Sequence, residues 1–373
     1  MPPALSDTFS SSSFRMRLAK IFRRSVKNTQ HILQRRPAMI WVSLLITKRC
    51  TQRCMQCAIP LSPSVKNAEP TASLKRIIDI FDDYGTQILT ISGGEPMLHP
   101  QLDDILKYAT TKQFIRIHLQ TTLYGPQHLI DRTIESAFES DLSLSTSFDG
   151  FGAVADELRG AKNVAEIVMR SLETIQERNS RRLSPIPISA NVVINRLNLA
   201  QIPQILDYLE SVRVPVDVDI YRWASTNQQE QDELKIEDSS ELRRVLALVR
   251  QSPIVFTPRW LIDGFPSYLS GNFPKYCPYL KTPSLGSKFY IEPDGEVVVC
   301  IGGSIGNLRQ QTPNEIFRSD SWRRRLEMFG ACRGCWNTCY TPSARLFHID
   351  NAREALKAVR MLKNKSVMNA KRI

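Results

Sequence analysis

Cysteine is absent from the 219 residues between Cys57 and Cys277, although the 373-residue chain holds eight of them. A desert of that size argues against a disulfide framework running through the body. Long apolar runs are missing too. The longest uncharged one, Ala38–Thr47, is about half of the roughly 20 residues that a membrane-spanning helix needs. No segment repeats at a fixed period, and neither a Walker-type Gly-Lys-Ser/Thr nor His-Glu-x-x-His occurs. No uninterrupted apolar core follows the first basic residues, which argues against a secretory signal. What is present is ordinary globular composition, 42% hydrophobic and 23% charged. The length suits one large core, or one core with a small satellite.

Acidic residues are scarce at the two ends. Residues 1–49 hold ten Lys/Arg and one acid, and residues 340–373 hold eight Lys/Arg and two acids. The total of +12 therefore belongs to the termini, and the body is near neutral. A nucleic-acid enzyme carries its charge across a domain face, so nucleic acid is not the expected partner. Phe14, Leu18, Ile21, Phe22 and Val26 share one helical face, with Arg15, Arg17, Lys20, Arg23, Arg24 and Lys27 around it. Such a basic amphipathic helix lies on an anionic membrane surface, packs on the domain, or frays. The Ser- and Arg-rich start also resembles an organelle transit peptide. The expected location is cytoplasmic, with a membrane-peripheral placement left open.

Where cysteine does occur, it is crowded. Cys50, Cys54 and Cys57 fall within eight positions, and Cys277, Cys300, Cys332, Cys335 and Cys339 form a second group. Disulfides between thiols two or three residues apart are geometrically awkward, and in a reducing compartment such clusters read as metal ligands. A closed zinc site takes four ligands; the first group has three, and His99 is not at finger spacing. A [4Fe–4S] cluster is normally capped by four thiolates. Three leave one iron open for an exchangeable ligand.

The first group sits in a chain that alternates strand and helix. Strands are expected over Ile40–Thr47, Gln87–Ser92, Ile115–Gln120, Asp141–Ser147, Ile188–Ile194 and Val216–Tyr221. Helices are expected over Leu74–Tyr84, Gln101–Thr111, Gln127–Glu139, Asn163–Arg178, Ala200–Ser211 and Ser239–Gln251. Six β/α units argue for a parallel sheet with helical crossovers. In curled parallel folds, active sites gather at the carboxyl ends of the strands. The cysteine loop and Gly93-Gly94-Glu95-Pro96 both fall there.

Cys50-x3-Cys54-x2-Cys57 after a first strand, with Gly93-Gly94-Glu95-Pro96 after the second, resembles the radical S-adenosylmethionine (SAM) superfamily over residues 40–255. The resemblance implies an α/β fold, a partial TIM-like (β/α)6 barrel, and an enzyme. It implies that SAM occupies the open iron, with Gly93, Gly94 and Glu95 receiving its amino group. One cluster electron then breaks a C–S bond of SAM, releasing methionine and a 5′-deoxyadenosyl radical. Ser147-Phe148-Asp149-Gly150 resembles the family's Ser-x-Asp-Gly, and Arg159-Gly160 resembles a nearby Arg-Gly pair. Ser147, Asp149 and Arg159 are thereby implied in SAM binding, Arg159 through the carboxylate. The alternatives are a capping Ser147, an Asp149-Gly150 turn and a surface Arg159. Gln120-Thr121-Thr122 stands where many members have Thr-Asn-Gly, which implies a ribose contact. Gln56 departs from the aromatic usual before the third cysteine. The implied electron donor is of the flavodoxin or ferredoxin kind.

Phe289–Cys300 reads as a hairpin around Pro293-Asp294-Gly295. The stretch from Ile305 to Cys335 resembles the spacer of SPASM or twitch auxiliary domains, which carry additional [4Fe–4S] clusters. Five cysteines suffice for one auxiliary cluster, with Cys277, Cys300, Cys332 and Cys335 as the implied ligands and Cys339 as a substitute. A zinc site from the same thiols is the alternative. Gly302-Gly303-Ser304-Ile305-Gly306 matches the hydrolase elbow, but "SIGNLRQQTP" reads as a loop where that elbow needs a helix. The expected organisation is a basic segment over 1–37, a barrel over 38–255, an auxiliary domain over 256–342 and a basic helix over 343–373. The expected function is SAM cleavage coupled to modification of a peptide, small-metabolite or lipid-linked substrate. The competing class is a non-catalytic iron–sulfur or zinc module.

Overall fold

The computed structural model describes residues 11–59, 69–221, 230–272, 279, 288–300, 303–332 and 336–338. Cys277, Cys335, Cys339 and the segment 343–373 lie outside the described residues. The six expected strands form as β1 (Trp41–Leu45), β2 (Ile88–Ser92), β3 (Arg116–Gln120), β4 (Ser143–Ser147), β5 (Ile188–Ile194) and β6 (Val216–Ile220). They pair in parallel, each with its sequence neighbour. The crossovers are α2 (Thr71–Tyr84), α3 (Leu102–Thr110), α4 (Gln127–Glu139), α6 (Val164–Ser180) and α7 (Ile202–Ser211), and α8 (Ser240–Gln251) follows β6.

Two elements break the regular alternation. A short helix, α5 (Gly152–Arg159), is inserted between β4 and α6. The hairpin after residue 287 is not a detached module. Its first strand, β7 (Lys288–Ile291), pairs in parallel with β1, so Trp41 stands beside Lys288 and Ser43 beside Tyr290. β8 (Glu296–Val298) and β9 (Ser304–Asn307) continue antiparallel, giving one nine-stranded sheet ordered β6-β5-β4-β3-β2-β1-β7-β8-β9. The segment read as a loop after Ser304 is therefore an edge strand. It runs into a turn rather than a helix, so the elbow geometry is absent there.

Burial alternates along β5 and β6 as a half-apolar sheet requires, whereas β1, β2 and β4 are buried almost continuously. On β5, Ile188, Ala190, Val192 and Ile194 are buried, while Ser189 and Asn191 on the other face are only partly covered. Asp217 and Asp219 stand on that second face of β6. On β3, His118 sits between Ser143 Oγ at 2.9 Å and Ser145 Oγ at 2.8 Å. Burial is the main cause that pulls its pKa down to about 3, so the imidazole stays neutral.

The N-terminal helix α1 (Ser11–Leu33) packs on the domain, and it does so with its polar side. α2 ends on Gly85 in the left-handed region at φ 104°, and the last carbonyls of such a helix lack intrahelical donors. α1 supplies them. Arg24 donates to Asp82 O at 2.5 Å, Lys27 to Asp83 O at 2.8 Å, His31 Nε2 to Tyr84 O at 2.9 Å and Asn28 to Gly85 O at 3.3 Å. Lys20 and Arg24 also reach Lys112 O and Gln113 O, just past the end of α3. Cations at helix C-termini further offset the helix dipole. Arg24 is buried, and its guanidinium also pairs with the Asp82 carboxylate. Arg24→Ala leaves two carbonyls without their donor and removes the cation from the Asp82 carboxylate, which keeps Gln113 N at 2.9 Å. Chemical denaturation should show a loss of about 2–3 kcal/mol, whereas exposed Arg23→Ala should change little.

Candidate active site: the cysteine loop on the strand rim

The cysteine loop leaves β1 and is fixed by backbone contact with the loop after β2. Gly94 N donates to Thr47 O and Glu95 N to Arg49 O, both at 2.7 Å. The approach leaves no room for side chains. A Cβ on Gly93, whose φ is 157°, would stand 2.4 Å from Thr47 O, and one on Gly94 would stand 2.3 Å from Arg49 O. Both glycines are thus required by the chain's own packing before any ligand is considered.

Glu95 is fully buried, and its carboxylate accepts four hydrogen bonds. Oε1 takes Met97 N at 3.1 Å and Thr121 Oγ1 at 2.7 Å, while Oε2 takes Thr122 N and Thr122 Oγ1 at 2.6 Å. Burial raises its pKa, and the donors from Thr121, Thr122 and Met97 oppose that rise. Thr121 and Thr122, expected near a ribose, here serve Glu95. Their hydroxyls and one amide fasten the loop after β3 to the loop after β2.

A third fastening comes from α5. Gly160 caps it at φ 58°, and the end of the helix is stitched to the cysteine loop. Arg53 N donates to Arg159 O and Met55 N to Leu158 O, both at 3.0 Å. A Cβ on Gly160 would lie 2.4 Å from Arg53 O. Arg159 is buried rather than a surface charge. Nη1 is 3.7 Å from Cys54 Sγ, and Nη2 pairs with Asp149 Oδ2. Burial alone would lower its pKa, but Asp149 and Cys54 reverse that, and the net shift is upward. Asp149 is buried as well; Oδ1 accepts Val193 N at 2.8 Å, so it orders β5 and Arg159 rather than forming a free turn. Asn198, absent from the sequence expectations, donates to Asp149 O at 2.8 Å and to Val193 O at 3.0 Å. Ser147 closes β4 beside Asn191, within the same rim.

Within this frame the three thiols share one loop. Burial is the main cause that pushes Cys50 up to about 12, opposed by Gln52 N and reinforced by Glu95, Cys54 and Cys57. Burial likewise raises Cys57. Thiolates are unfavourable here until a cation compensates them, which is the usual coupling of metal binding to ligand deprotonation. Among the described residues, no three His, Cys, Asp or Glu side chains converge as a site for a single metal ion. Arg159 Nε is buried and has no hydrogen-bond partner among the described residues. An orphan cationic donor beside Cys54 suits an anionic group bound at the loop.

Of the second cysteine group, Cys300 and Cys332 are described, both partly buried. Cys300 follows β8 at φ 52°, and Cys332 caps the helix Asp320–Ala331. Arg325 from that helix is buried and donates to Val299 O at 3.2 Å and Gly303 O at 3.1 Å, on either side of Cys300. Lys48, two residues before Cys50, pairs with Glu292 of the hairpin at 2.8 Å. Thr338 N and Oγ1 reach Asp219 on β6 at 3.3 and 3.2 Å.

Residues 44–209 match the family model described as the radical SAM superfamily. Residues 283–336 match one described as an iron–sulfur cluster-binding domain, a span that takes in Cys300, Cys332 and Cys335. The chain thus carries a radical SAM domain followed by a second, SPASM-type cluster-binding domain. Its cofactors are accordingly a [4Fe–4S] cluster, SAM and an auxiliary iron–sulfur cluster. It is 29% identical over 200 residues to the Fe-coproporphyrin III synthase of Methanosarcina barkeri, covering 52% of this chain and 47% of that protein. It is 28% identical over 269 residues to the PqqA peptide cyclase of Bradyrhizobium diazoefficiens, covering 69% and 66%. The chain thus spans between about half and two-thirds of these two relatives. A PqqA peptide cyclase of Methylorubrum extorquens aligns further, 24% identical over 332 residues with 81% and 80% covered. Streptococcus suis SuiB bound to precursor peptide SuiA superposes with a TM-score of 0.61, at 14% identity over 90% of this chain and 75% of that one. Native anSMEcpe with bound AdoMet gives 0.56, at 12% identity over 89% and 100%. These two likenesses show the fold alone.

The glycine contact yields a direct test. Gly94→Ala forces the loop entry away from Arg49 O and should abolish the first cluster while the auxiliary one assembles, measured as iron and sulfide content after anaerobic reconstitution. Gly330→Ala, where a Cβ meets nothing within 4 Å, should leave both intact. Full iron in Gly94→Ala would show that the close approach is not what positions the cysteines.

Proposed function

We propose that this chain is a radical SAM enzyme that cleaves SAM reductively on the β1–β2 rim and modifies a peptide. The observation that carries the reading is the docking of the three-cysteine loop on Gly93-Gly94, with the orphaned Arg159 Nε beside it. When bound, the cluster and SAM supply a one-electron cleavage giving methionine and a 5′-deoxyadenosyl radical that takes hydrogen from the substrate. Cys50, Cys54 and Cys57 would hold the cluster and leave one iron to SAM. The backbone at Gly93, Gly94 and Glu95 would receive the SAM amino group, while the Glu95 carboxylate holds that loop against Thr121 and Thr122. Arg159 Nε would meet the SAM carboxylate, with Asp149 keeping the guanidinium aimed, and Ser147 would close the same pocket.

Cys300 and Cys332 would ligate the auxiliary cluster, together with Cys277 and Cys335 or Cys339. The one-electron donor is an external protein of the flavodoxin or ferredoxin kind. The substrate class rests on how far the relatives align: the alignment reaching 81% of this chain is to a PqqA peptide cyclase, whereas the one to the porphyrin enzyme stops at 52%. Among the described residues no helix is long and apolar enough to cross a membrane, and oxygen-sensitive clusters suit a reducing cytoplasm.

Cys54→Ala tests the assignment. Reconstituted anaerobically with reductant, the wild-type protein should form 5′-deoxyadenosine from SAM. The variant should form none while keeping its auxiliary iron, because two thiolates do not hold a four-iron cluster. Cys300→Ala should do the reverse, retaining SAM cleavage and losing the auxiliary signal in electron paramagnetic resonance. A fully loaded wild-type protein that never cleaves SAM would instead mark a non-catalytic module. For the substrate class, co-expression with short peptides encoded beside the gene should yield a peptide of altered mass.

A further inference from the structure

The packing of α1 leaves its apolar side facing outward. Phe22 is 71% exposed and Leu33 78%, with Ile21 and Val26 each at 41%. Phe22, Val26 and Leu33 follow helical spacing and form one stripe, and Phe14 and Leu18 continue that face in the sequence. The helix cannot roll this stripe inward without cost, because Lys20, Arg24, Lys27, Asn28 and His31 on the other side cap the ends of α2 and α3. Nearby on the domain, Ile115 is also exposed, one residue past the Phe114 ring that carries the Arg24 guanidinium.

The charge carried by α1 itself is of one sign; Asp82 and Asp83 meet its opposite, polar side. No Asp or Glu occurs between Asp7 and Glu69, while Arg15, Arg17, Arg23, Lys27, Arg35 and other Lys/Arg do. We propose that the outward face of α1 docks on an anionic lipid bilayer, with Phe22, Val26 and Leu33 entering the headgroup boundary and the basic residues flanking them. An exposed apolar stripe on an acid-free, cationic helix is the pattern of an interfacial helix. The placement adds a consequence beyond the proposed chemistry. α1 sits where α2 and α3 end and β2 and β3 begin, which is the end of the sheet opposite the cysteine rim. A bilayer bound there leaves the site facing water, so docking places the protein at the membrane without presenting lipid to the site.

Co-sedimentation of the full chain with vesicles of phosphatidylcholine, with and without phosphatidylglycerol, tests this. Binding should require the anionic lipid and fall as salt rises. The triple variant Phe22→Ser/Val26→Ser/Leu33→Ser should bind about tenfold or more weakly. Its melting temperature and cluster content should stay unchanged, since these side chains are exposed; should the triple variant misfold, Phe22→Ser alone serves the same comparison. Three results overturn the proposal: no binding to anionic vesicles, equal binding to neutral ones, or undiminished binding by the variants. Concentration-dependent dimerisation that the triple variant loses would also overturn it, by making a second copy of the chain the occupant. SAM cleavage by the unbound protein is read separately, so failure here leaves the enzymatic reading intact.

Discussion

The approach of Gly93-Gly94 to the carbonyls of Thr47 and Arg49 is the constraint from which the site is built. Two loops that leave adjacent parallel strands normally splay apart, each covered by its own side chains. Here the second loop gives up its side chains for two residues and bonds its amides to the first loop's backbone at 2.7 Å. The cysteine loop therefore begins at a fixed point and in a fixed direction. Such preorganisation matters because burial makes thiolates at this loop unfavourable until a cation compensates them. Burial keeps Cys50 and Cys57 protonated, so the loop must be held by groups other than its ligands.

Around that contact the fastenings form a chain through successive loops. Glu95 carries the constraint from β2 to β3 through Thr121 and Thr122. Arg159 and Asp149 carry it between the cysteine loop, β4 and β5. Each link places a charged group where water is excluded, and each is compensated: four donors for Glu95, a guanidinium for Asp149. Isolated charges so buried would be strongly unfavourable. Their full pairing identifies the rim as an ordered polar layer above the apolar body. Against that background Arg159 Nε and Gln56 Oε1, both beside the cysteine loop, are buried without a hydrogen-bond partner among the described residues.

Much of this was legible in sequence. The β-branched, apolar strands and amphipathic crossovers are recovered to within two or three residues, because burial on one face imposes a period that the chain must obey. The paired motifs located the rim. Three features were not legible, each for a physical reason. Pairing between β1 and β7 joins segments some 250 residues apart, and nothing local in Lys288–Ile291 names its partner. The short helix α5 lies between Gly152 and Gly160 and reads as a turn-rich link, so the burial of Arg159 stayed hidden. The orientation of α1 was obscured because an amphipathic pattern shows two faces without saying which is covered. The apolar face is normally the covered one, but the unsatisfied carbonyls at the end of α2 made the polar side the better fit.

The same hydrogen-bond logic ties Cys300 to the first cysteine group. β7 extends the barrel sheet beside β1, so the hairpin that ends at Cys300 shares a ladder with the strand that leads to Cys50. Lys48 and Glu292 tie the two loops directly, and Asp219 holds Thr338 to the rim of β6. A satellite joined by a flexible linker would let its distance to the cysteine loop drift, and electron exchange depends steeply on distance. A satellite built onto the same sheet keeps that separation constant. The arrangement makes β1 the strand that positions both the cysteine loop and the hairpin leading to Cys300.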